Sequence, residues 1–358
     1  MTSPSQKHKK HKEDLKSAFV PIYQKLFKQY EEAIITQQYR PGDRVPSINE
    51  MIAEHKIARE TAKAVLKMLA DHGHIIQQPG KGSFVADLGP LKKIWGVVVP
   101  FFSAQVEELI FYLRQEAAKL GRELEHFVDY NNWKEEIRLV GTLINERYEA
   151  VIILPTFDET ETASFYARLK SGGTAVSLID HTMCGSSFAY AIQSYDLGVQ
   201  RGARHLFTKP SGTLAFVKNY IWLRRNMVQE LMQETFQNAI EQNGQKYRAL
   251  ILNNVQQIDK DMIRKNEIRG FFCCDDYDAI RVVGRLKSWE FQIPEDISIV
   301  SYGNTDLAKF FSPAITSIDP HSAELANTTA SFIQQKRKGK DISFSQHVIQ
   351  PELIVRET

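Results

Sequence analysis

The sequence predicts an α/β protein in two parts: a small N-terminal winged helix-turn-helix and a larger, two-lobed, doubly wound parallel α/β domain. Two short helices followed by a glycine-bounded hairpin account for residues 47–85. From Ile94 onward, short β-branched runs alternate with helical stretches, the pattern of parallel strands joined by crossover helices. The Gly89-Pro90 break between these two patterns predicts a domain boundary.

Length and composition set the broad class. The 358 residues suffice for two cores, and 43% hydrophobic with 25% charged residues is typical of a soluble globular protein. The longest apolar run, Ile94 to Phe102, is too short to span a bilayer. The lysine-rich N-terminus lacks the apolar segment of a secretory signal, so we expect a cytoplasmic protein with no membrane partner. The predicted divisions are a disordered basic tail (1–16), the winged helix (17–87), a linker (88–92) and the two-lobed domain (93–358).

Charge and cysteine content narrow the class further. The net charge is only +2, but residues 1–90 hold 14 Lys and Arg against 10 Asp and Glu. The surplus of positive charge therefore accompanies the winged helix. Cys184, Cys273 and Cys274 form an odd set without the spacing of a metal knuckle, which predicts reduced thiols and neither zinc nor a disulfide. No cofactor is expected.

The N-terminal part begins with a predicted helix from about Val20 to Gln37, ended by Arg40-Pro41-Gly42. A second helix, Ser47 to His55, begins with a capping box, because Ser47 is followed three residues later by Glu50. The first helix has a predicted buried stripe of Ile22, Tyr23, Leu26, Tyr30, Ala33 and Ile34.

The third helix, about Ala58 to Asp71, has two faces. Its apolar face predicts burial of Ala62, Val65, Leu66 and Leu69, whereas Lys56, Arg59, Lys63 and Lys67 recur at spacings of three and four and form a cationic stripe. The hairpin that follows turns at Pro79-Gly80-Lys81-Gly82 and forms a cationic wing. A solvated helix face and an ordinary turn explain each feature alone, but the two in one ordered module favour double-stranded DNA as the partner.

The same stretch resembles the GntR family of bacterial transcription regulators. The matching segments are Pro41 to Ser47, Ala58-Arg59-Glu60-Thr61-Ala62 and Gly80 to Val85, although Asn49 and Pro79 depart from the family pattern. The resemblance implies that Arg59, Thr61 and Lys63 meet DNA from the third helix, with Arg59 as the base reader. The full candidate DNA-binding set is Ser47, Asn49, Arg59, Glu60, Thr61, Lys63, Lys67, Gly80, Lys81 and Gly82.

The larger domain predicts two doubly wound lobes. In the first lobe, strands at 94–99, 124–128, 151–154 and 174–179 alternate with helices near 104–120, 134–146 and 160–170. In the second lobe, strands at 213–217, 249–252, 270–274, 297–300 and 315–318 alternate with helices near 197–207, 226–242, 256–265 and 278–287. Two such lobes create a cleft at the carboxyl ends of their strands, where open α/β sheets bind small molecules.

The C-terminal third resembles the LacI type of effector domain, which is related to periplasmic sugar-binding proteins. The segments that carry the resemblance are 293–302, 312–318 and 350–357. Together with the N-terminal motifs, the architecture is similar to that of arabinose-repressor-like members of the GntR family. The resemblance implies a homodimeric transcription regulator, acting as a repressor, whose DNA affinity is controlled by a small molecule, a sugar or sugar derivative.

Residue by residue, this resemblance places candidate effector contacts at the cleft. Asp180 matches the family's carboxylate after a first-lobe strand, and Asp275 matches its amide after a second-lobe strand. Where the family has an aromatic residue followed by two aspartates, this chain has Tyr302-Gly303-Asn304, so Asn304 stands at the second aspartate position. Met232 stands where the family has an arginine, for which Arg224 or Arg225 are candidate substitutes. Phe101 and Phe102 are candidates to stack on a sugar ring. The alternative for Asp180 and Asp275 is that they only cap helices.

Two other functions remain open from the sequence. One is a ligand-independent dimeric DNA-binding protein with a vestigial cleft, because several expected anchors are altered. The other is a sugar-acting enzyme, but the chain lacks a phosphate-binding Gly-rich loop, a His-Glu-x-x-His motif and a Gly-x-Ser-x-Gly elbow, so no catalytic residues are assigned. The acidic group Asp275, Asp276 and Asp278 suits a helix start as well as Mg²⁺, and no metal site is predicted.

Overall fold

A computed structural model describes residues 21–35, 38–71, 73–86, 90–156, 162, 165–166, 169, 173–183, 188–208, 210–218, 226–243 and 246–358. These residues form two compact units that divide between Gly89 and Pro90. We call them the head and the body. The basic tail predicted for residues 1–16 and most of the helix predicted at 160–170 lie outside the described residues. No helix in the described part of the chain is both long and apolar enough to cross a bilayer.

The head is a three-helix unit with a small antiparallel sheet. Its helices are α1 (Ile22–Ile35), α2 (Ile48–His55) and α3 (Arg59–Asp71), and its strands are β1 (Arg44–Val45), β2 (Ile75–Gln78) and β3 (Gly82–Val85). The strand β3 lies between β1 and β2 and pairs with both of them in antiparallel register. The chain order and the β2–β3 hairpin are those of a winged helix-turn-helix, as predicted.

The head core follows the predicted periodicity with one exception. The residues predicted for the buried face of α3 (Ala62, Val65, Leu66 and Leu69) are all buried. On α1, Leu26, Tyr30 and Ala33 are buried as expected, but Ile22 is 51% exposed and Phe27, absent from the prediction, is buried. The predicted stripe therefore holds from Tyr23 to Ile34 and fails only at Ile22, the first residue of the helix.

The first lobe of the body has a six-stranded, all-parallel sheet in the order β14-β8-β7-β6-β4-β5. Its strands are β4 (Lys92–Val99), β5 (Glu123–Val128), β6 (Tyr148–Ile153), β7 (Ala175–Asp180), β8 (Ala189–Gln193) and β14 (Gln346–Ile349). Helices α4 (Ala104–Lys119) and α11 (Ser322–Arg337) bury one face of the sheet, and α5 (Trp133–Asn145) packs on the other. Burial on both faces explains the continuous apolar strands.

The second lobe repeats this arrangement with the order β10-β9-β11-β12-β13-β15. Its strands are β9 (Gly212–Val217), β10 (Tyr247–Leu252), β11 (Ile268–Cys273), β12 (Ser298–Tyr302), β13 (Thr316–Asp319) and β15 (Glu352–Ile354), of which only β15 runs antiparallel to its neighbour. One face packs against α6 (Tyr195–Leu206) and α7 (Met227–Gln242), and the other against α8 (Lys260–Lys265), α9 (Asp276–Ser288) and α10 (Asp306–Phe310). The predicted two-lobed, doubly wound fold class is confirmed.

The chain passes between the lobes three times: from β8 to α6, from β13 to α11, and from β14 to β15. The sequence patterns did not indicate β8, α11, β14 or β15. Residues 322–349 return to the first lobe, where α11 packs against α4 and β14 extends the sheet. The crossings bring the carboxyl ends of both sheets to one cleft.

A buried acidic pair lies below the first lobe's cleft edge. Asp129 follows β5 and Glu136 is on α5, and both are 0% exposed. Glu136 accepts hydrogen bonds from the Thr156 amide (2.5 Å) and the Tyr166 hydroxyl (2.6 Å). Burial, and then the charge of Glu136, raise the pKa of Asp129 to about 8.

This shift makes stability depend on pH in a predictable direction. Between the unfolded pKa near 4 and the folded pKa near 8, the folded state holds a proton that the unfolded state has lost, so stability falls as pH rises. We expect Asp129→Asn to remove this loss: its stability relative to the wild type should increase with pH by up to about 1.4 kcal/mol per unit. Urea unfolding from pH 5 to 8 measures the difference. Asp261→Asn, at an exposed aspartate on α8, is the control, and a pH-independent difference for Asp129→Asn would contradict the argument.

Candidate DNA-binding surface and effector cleft

The helix that presents the DNA-binding candidates is preceded by a capped helix. The Glu50 amide donates to the Ser47 hydroxyl (3.3 Å) and the Ser47 amide donates to the Glu50 carboxylate (2.6 Å), which is the predicted capping box. The Arg44 guanidinium also donates to both Glu50 oxygens, at 3.2 and 3.1 Å. Hydrogen bonds from Ser47, with the Arg44 contact, lower the pKa of Glu50 to about 2. The pair ties β1 to the start of α2, where Ser47 and the exposed Asn49 lie.

The cationic side chains on α3 are exposed. Arg59, Lys63 and Lys67 are exposed along one stripe of the helix, about a third of a turn from its buried apolar face, and Thr61 is half-buried. The Lys63 ammonium is 2.8 Å from the Glu60 carboxylate, which neutralises part of the stripe in the absence of DNA. Lys56 is not part of the helix, because it adopts a left-handed conformation (φ 51°) at the C-cap of α2. The continuous row therefore begins at Arg59.

The wing presents one cation at an exposed turn. The Lys81 amide donates to the Gln78 carbonyl (3.0 Å), and the flanking Gly80 and Gly82 have φ values of +74° and +121°. Such backbone angles strain a side-chain-bearing residue, so the glycines allow the tight turn that leaves Lys81 at the tip. Gly80 and Lys81 are exposed and Gly82 is half-buried. The surface formed by α3 and the wing contains eight of the ten positions predicted to meet DNA, and the other two, Ser47 and Asn49, lie at the start of α2.

The cleft between the lobes contains a cavity of about 110 Å³, several times the space that one water molecule requires. It lies at the carboxyl ends of β4, β7, β11 and β12, where the fold class predicts ligand binding. We call it the interlobe cavity. Its polar lining is Ser103, Gln105, Asp180, Tyr195, Asn226, Gln229, Asp275, Tyr302 and Ser322, and its other lining residues are Phe101, Phe102, Val106, Leu109, Leu154, Val228, Met232, Cys274 and Leu325.

Asp180 is the centre of a buried hydrogen-bond network. One carboxylate oxygen accepts from the Gln193 amide (2.5 Å) and the other from the Tyr195 hydroxyl (2.7 Å), with the His181 ring nitrogen at 3.3 Å. The Gln193 carbonyl in turn accepts from the Tyr302 hydroxyl (2.7 Å). The backbone of Asp180 has φ +75°, which is uncommon for a residue with a side chain. Asp180 thus lines the cavity while protein donors hold both of its oxygens.

Asp275 is the N-cap of α9, because its carboxylate accepts from the Asp278 amide at 2.7 Å. The helix-capping alternative is therefore observed for this residue, which also lines the cavity. Asp276 faces away from the cavity and accepts from the hydroxyls of Ser301, Ser317 (2.7 Å) and Thr305 (2.8 Å) and from the Thr305 amide (2.7 Å). The described residues contain no group of three His, Cys, Asp or Glu side chains placed to hold a metal ion.

The remaining effector candidates divide into three cases. Phe101 and Phe102 line the cavity, and Phe102 also packs edge-on against His126 with ring centroids 5.2 Å apart. Asn304 is not among the lining residues: its side-chain nitrogen donates to Asp319 (2.9 Å) and its oxygen accepts from Arg356 (2.5 Å). Both ends of this amide are used within the second lobe, so no contact with the cavity supports its predicted role. Arg224 and Arg225 lie outside the described residues.

Several lining residues had no sequence prediction as contacts. Gln105 and Gln229 face the cavity from the first turns of α4 and α7, and Asn226 is the N-cap of α7, accepting from the Gln229 amide at 3.0 Å. The sequence could have indicated Asn226, because a helix-capping residue that precedes an amphipathic helix at the edge of a cleft is a candidate ligand contact. Ser322 had none, because its helix crosses from the other lobe. Met232, 2% exposed, forms part of the apolar floor.

An ion pair joins the lobes outside the cavity. Lys309 on α10 of the second lobe lies 3.7 Å from Glu108 on α4 of the first, and 3.4 Å from Asp306 on its own helix. Burial raises the pKa of Glu108, an effect that the charge of Lys309 opposes and the nearby Asp319 and Asp306 reinforce. The lobes are therefore linked both by the hydrogen bonds around Asp180 and by the ion pair between α4 and α10.

Family models match both parts of the chain. Residues 22–85 match the bacterial regulatory proteins of the gntR family, and residues 219–358 match the periplasmic binding protein-like domain. Both resemblances inferred from the motifs are confirmed at the level of these domains. The chain thus carries a GntR-type helix-turn-helix followed by a domain of the periplasmic-binding-protein type.

The chain is similar to several transcription regulators. The arabinose metabolism transcriptional repressor of Halalkalibacterium halodurans is 22% identical, across 89% of this chain and 91% of that protein. The HTH-type transcriptional repressor PurR of Vibrio vulnificus is 31% identical over 104 residues, 31% of its length. A periplasmic binding protein/LacI transcriptional regulator from Alkaliphilus metalliredigens, complexed with D-xylulofuranose, superposes with a TM-score of 0.62 at 16% identity, covering 75% of this chain and 99% of that one. Transcription regulator GntR from Chromobacterium violaceum gives 0.61 at 14% identity, covering 74% and 98%.

Proposed function

Because the chain joins a GntR-family DNA-binding domain to a periplasmic-binding-protein-like domain, we propose that it is a transcription regulator whose DNA affinity responds to a small molecule bound between the lobes. The observation that carries the proposal is the exposed cationic face of α3, beside a wing with Lys81 at its tip. Phosphates attract such a surface irrespective of sequence, and a guanidinium such as that of Arg59 reads guanine through two hydrogen bonds. We propose no catalytic step for the chain.

The effector that the cavity suits best is a carbohydrate or a sugar derivative. Its polar lining offers carboxylates, amides and hydroxyls, which pair with sugar hydroxyls, and Phe101 and Phe102 supply apolar ring faces. The arabinose repressor relative and the D-xylulofuranose complex of a structural neighbour are consistent with this choice. A site built from such groups discriminates against analogues that lack a hydroxyl, because the unmatched group is left buried and unpaired.

Regulation requires that the effector prefer one arrangement of the lobes. A ligand shifts DNA affinity only as far as its affinity differs between the lobe arrangements. We propose a cytoplasmic homodimer that represses transcription and is released from DNA by the effector. Two copies would place two heads on two half-sites of one operator, so half-site spacing reports the dimer geometry.

Three observations favour a second function, a ligand-independent DNA-binding dimer. Asn304 is occupied by Asp319 and Arg356, Asp275 caps α9, and apolar Met232 lines the cavity where the resembling family has an arginine. Each removes or engages a group that would otherwise contact a ligand. In this case the cavity would serve only to pack the two lobes.

The experiment that tests both begins with full-length protein and genomic DNA fragments, selected for binding and then titrated in a mobility-shift assay with and without candidate effectors. The same candidates (pentoses, hexoses, sugar phosphates and nucleosides) are screened for thermal stabilisation. We expect a specific operator and a stabilising compound that weakens its binding. If the protein retains no DNA fragment even at low salt, the proposal of a transcription regulator is refuted. If it binds an operator but no compound stabilises it, the ligand-independent function is selected.

A further inference from the structure

The carboxylate of Asp180 is held from both lobes. Asp180 ends β7 and Gln193 ends β8, both in the first lobe, whereas Tyr195 begins α6 and Tyr302 ends β12, both in the core of the second lobe. The hydrogen bond from Tyr195 to Asp180 (2.7 Å) therefore crosses between lobes directly. The bond from Tyr302 to Gln193 (2.7 Å), which continues to Asp180 at 2.5 Å, crosses a second time.

These four side chains form a rigid and fully paired group. Asp180, Gln193, Tyr195 and Tyr302 are 6%, 3%, 9% and 1% exposed, so a broken bond leaves a polar group unpaired away from water. The two tyrosine rings stack with centroids 5.3 Å apart. Burial raises the pKa of both tyrosines well above 10, so both hydroxyls remain donors.

The ring of Tyr302 packs closely against α6 of its own lobe. A Cβ added at Gly198 on α6 would lie 2.8 Å from the Tyr302 hydroxyl and ring, so only glycine at this point lets the ring pack where it does. A movement of the second lobe relative to the first therefore moves the Tyr302 hydroxyl away from Gln193.

We propose that Tyr195 and Tyr302 are positioning residues that form, with Gln193 and Asp180, an interlobe latch through which the cavity senses the angle between the lobes. Asp180, Tyr195 and Tyr302 line the interlobe cavity, so a bound molecule touches the latch itself. A donor that hydrogen-bonds Asp180 competes with Tyr195 and Gln193 for its oxygens, and an effector thereby alters the bonds that join the lobes. The effector part of this inference rests on the proposed function, whereas the mechanical part does not.

Matched tyrosine variants separate the latch from ordinary stability. Tyr195→Phe removes the hydroxyl that bonds Asp180 and Gln105 of the first lobe, Tyr302→Phe removes the hydroxyl that bonds Gln193, and both variants keep the ring. The control is Tyr247→Phe: Tyr247 is also buried, stacks on Phe207 at 5.1 Å and donates to the Phe207 carbonyl at 2.5 Å, entirely within the second lobe.

The distance between the lobes is measured on full-length protein with one spin label in each lobe. The labels are attached at Lys119→Cys in the first lobe and Arg248→Cys in the second, two positions with exposed side chains, and Cys184 is replaced by serine. Pulsed electron–electron distance measurement then reports the lobe separation.

Loss of one buried hydrogen bond changes a two-state equilibrium by about tenfold. We expect Tyr195→Phe and Tyr302→Phe to add or enlarge a second population in the label distance, and Tyr247→Phe to match the parent protein despite a comparable loss in Tm. Distance distributions that are the same for all four proteins would overturn the latch.

The measurement uses neither DNA nor effector, so its failure differs from failure of the proposed function. If the parent protein binds no DNA fragment but the two variants change the lobe distance, the latch stands and the regulator falls. If the parent protein binds DNA and no variant changes the lobe distance, the proposed regulator stands and the latch falls. Where both hold, we expect the two variants to shift operator affinity about tenfold without any added compound, and Tyr247→Phe to leave it unchanged.

Discussion

Asp276→Ala should lower the free energy of unfolding of the body by about 3–5 kcal/mol. The Asp276 carboxylate, 2% exposed, accepts four hydrogen bonds from Ser301, Ser317 and Thr305, which connect α9 to β12, β13 and the loop before α10. Removing the acceptor leaves those donors buried without partners, and Ser301 and Ser317 are 0% exposed. Burial raises the pKa of Asp276, and the hydrogen bonds from these donors oppose that rise. The donors therefore stabilise the ionised carboxylate in its buried position.

Asp278→Ala is the matched control, two residues further along the same helix. Asp278 is also buried, at 3% exposed, but its side chain accepts one hydrogen bond, from Arg281 at 2.9 Å. Burial and the neighbouring Asp275 raise its pKa to about 7, so its ionised form contributes little. We expect a loss of about 1 kcal/mol at pH 7, the contribution of one hydrogen bond. Urea unfolding of the full chain measures both; equal losses would show that burial, and not the four donors, governs the site.

Arg59→Ala should weaken binding to the selected operator by about 1–3 kcal/mol and relax the preference at one base position. The physical reason is that Arg59 is exposed at the first turn of α3, and only a base-edge contact carries sequence information. Titration against the operator and against each single-base variant of it measures the effect. Equal weakening on operator and random DNA would show that Arg59 contacts phosphate alone.

Lys81→Ala is the comparison for this measurement. A cation at the wing tip that contacts phosphate should, when removed, weaken binding to all sequences alike and reduce the dependence of affinity on salt by about one ion. Arg248→Ala, at an exposed position on β10 in the body, should leave DNA binding unchanged. A base-specific effect of Lys81→Ala would instead place the wing in a groove.

The head was largely predictable because its signals are local. The Ser47 and Glu50 spacing predicts a capping box, and the apolar period of α3 predicts its buried face; both are observed. Local signals were weakest at the ends of elements. Ile22 belongs to the apolar stripe of α1 but lies at its first residue and is exposed, and Lys56 has the spacing of the cationic row but adopts a C-cap conformation.

The body was predictable as a class and less so in its connections. Strand and helix alternation indicated two doubly wound lobes, yet nothing in the period of α11 indicates to which lobe it returns. That choice depends on which sheet face lacks a cover, and α11 packs beside α4 on the first lobe. Ser322 consequently reaches the interlobe cavity from a helix that the sequence did not reveal.

What the sequence by itself determined is the domain type, the exposed basic face of α3 and the presence of polar residues after the strands, because each follows from spacing along a single element. Only the tertiary structure decided which of those polar groups remain available to a ligand. Asp180 is shared with Gln193 and Tyr195, and Asn304 with Asp319 and Arg356, through partners from 13 to 52 residues away in the chain. A polar side chain forms hydrogen bonds with the groups that folding brings within about 3 Å of it, and the spacing of residues along the sequence does not indicate which groups those are.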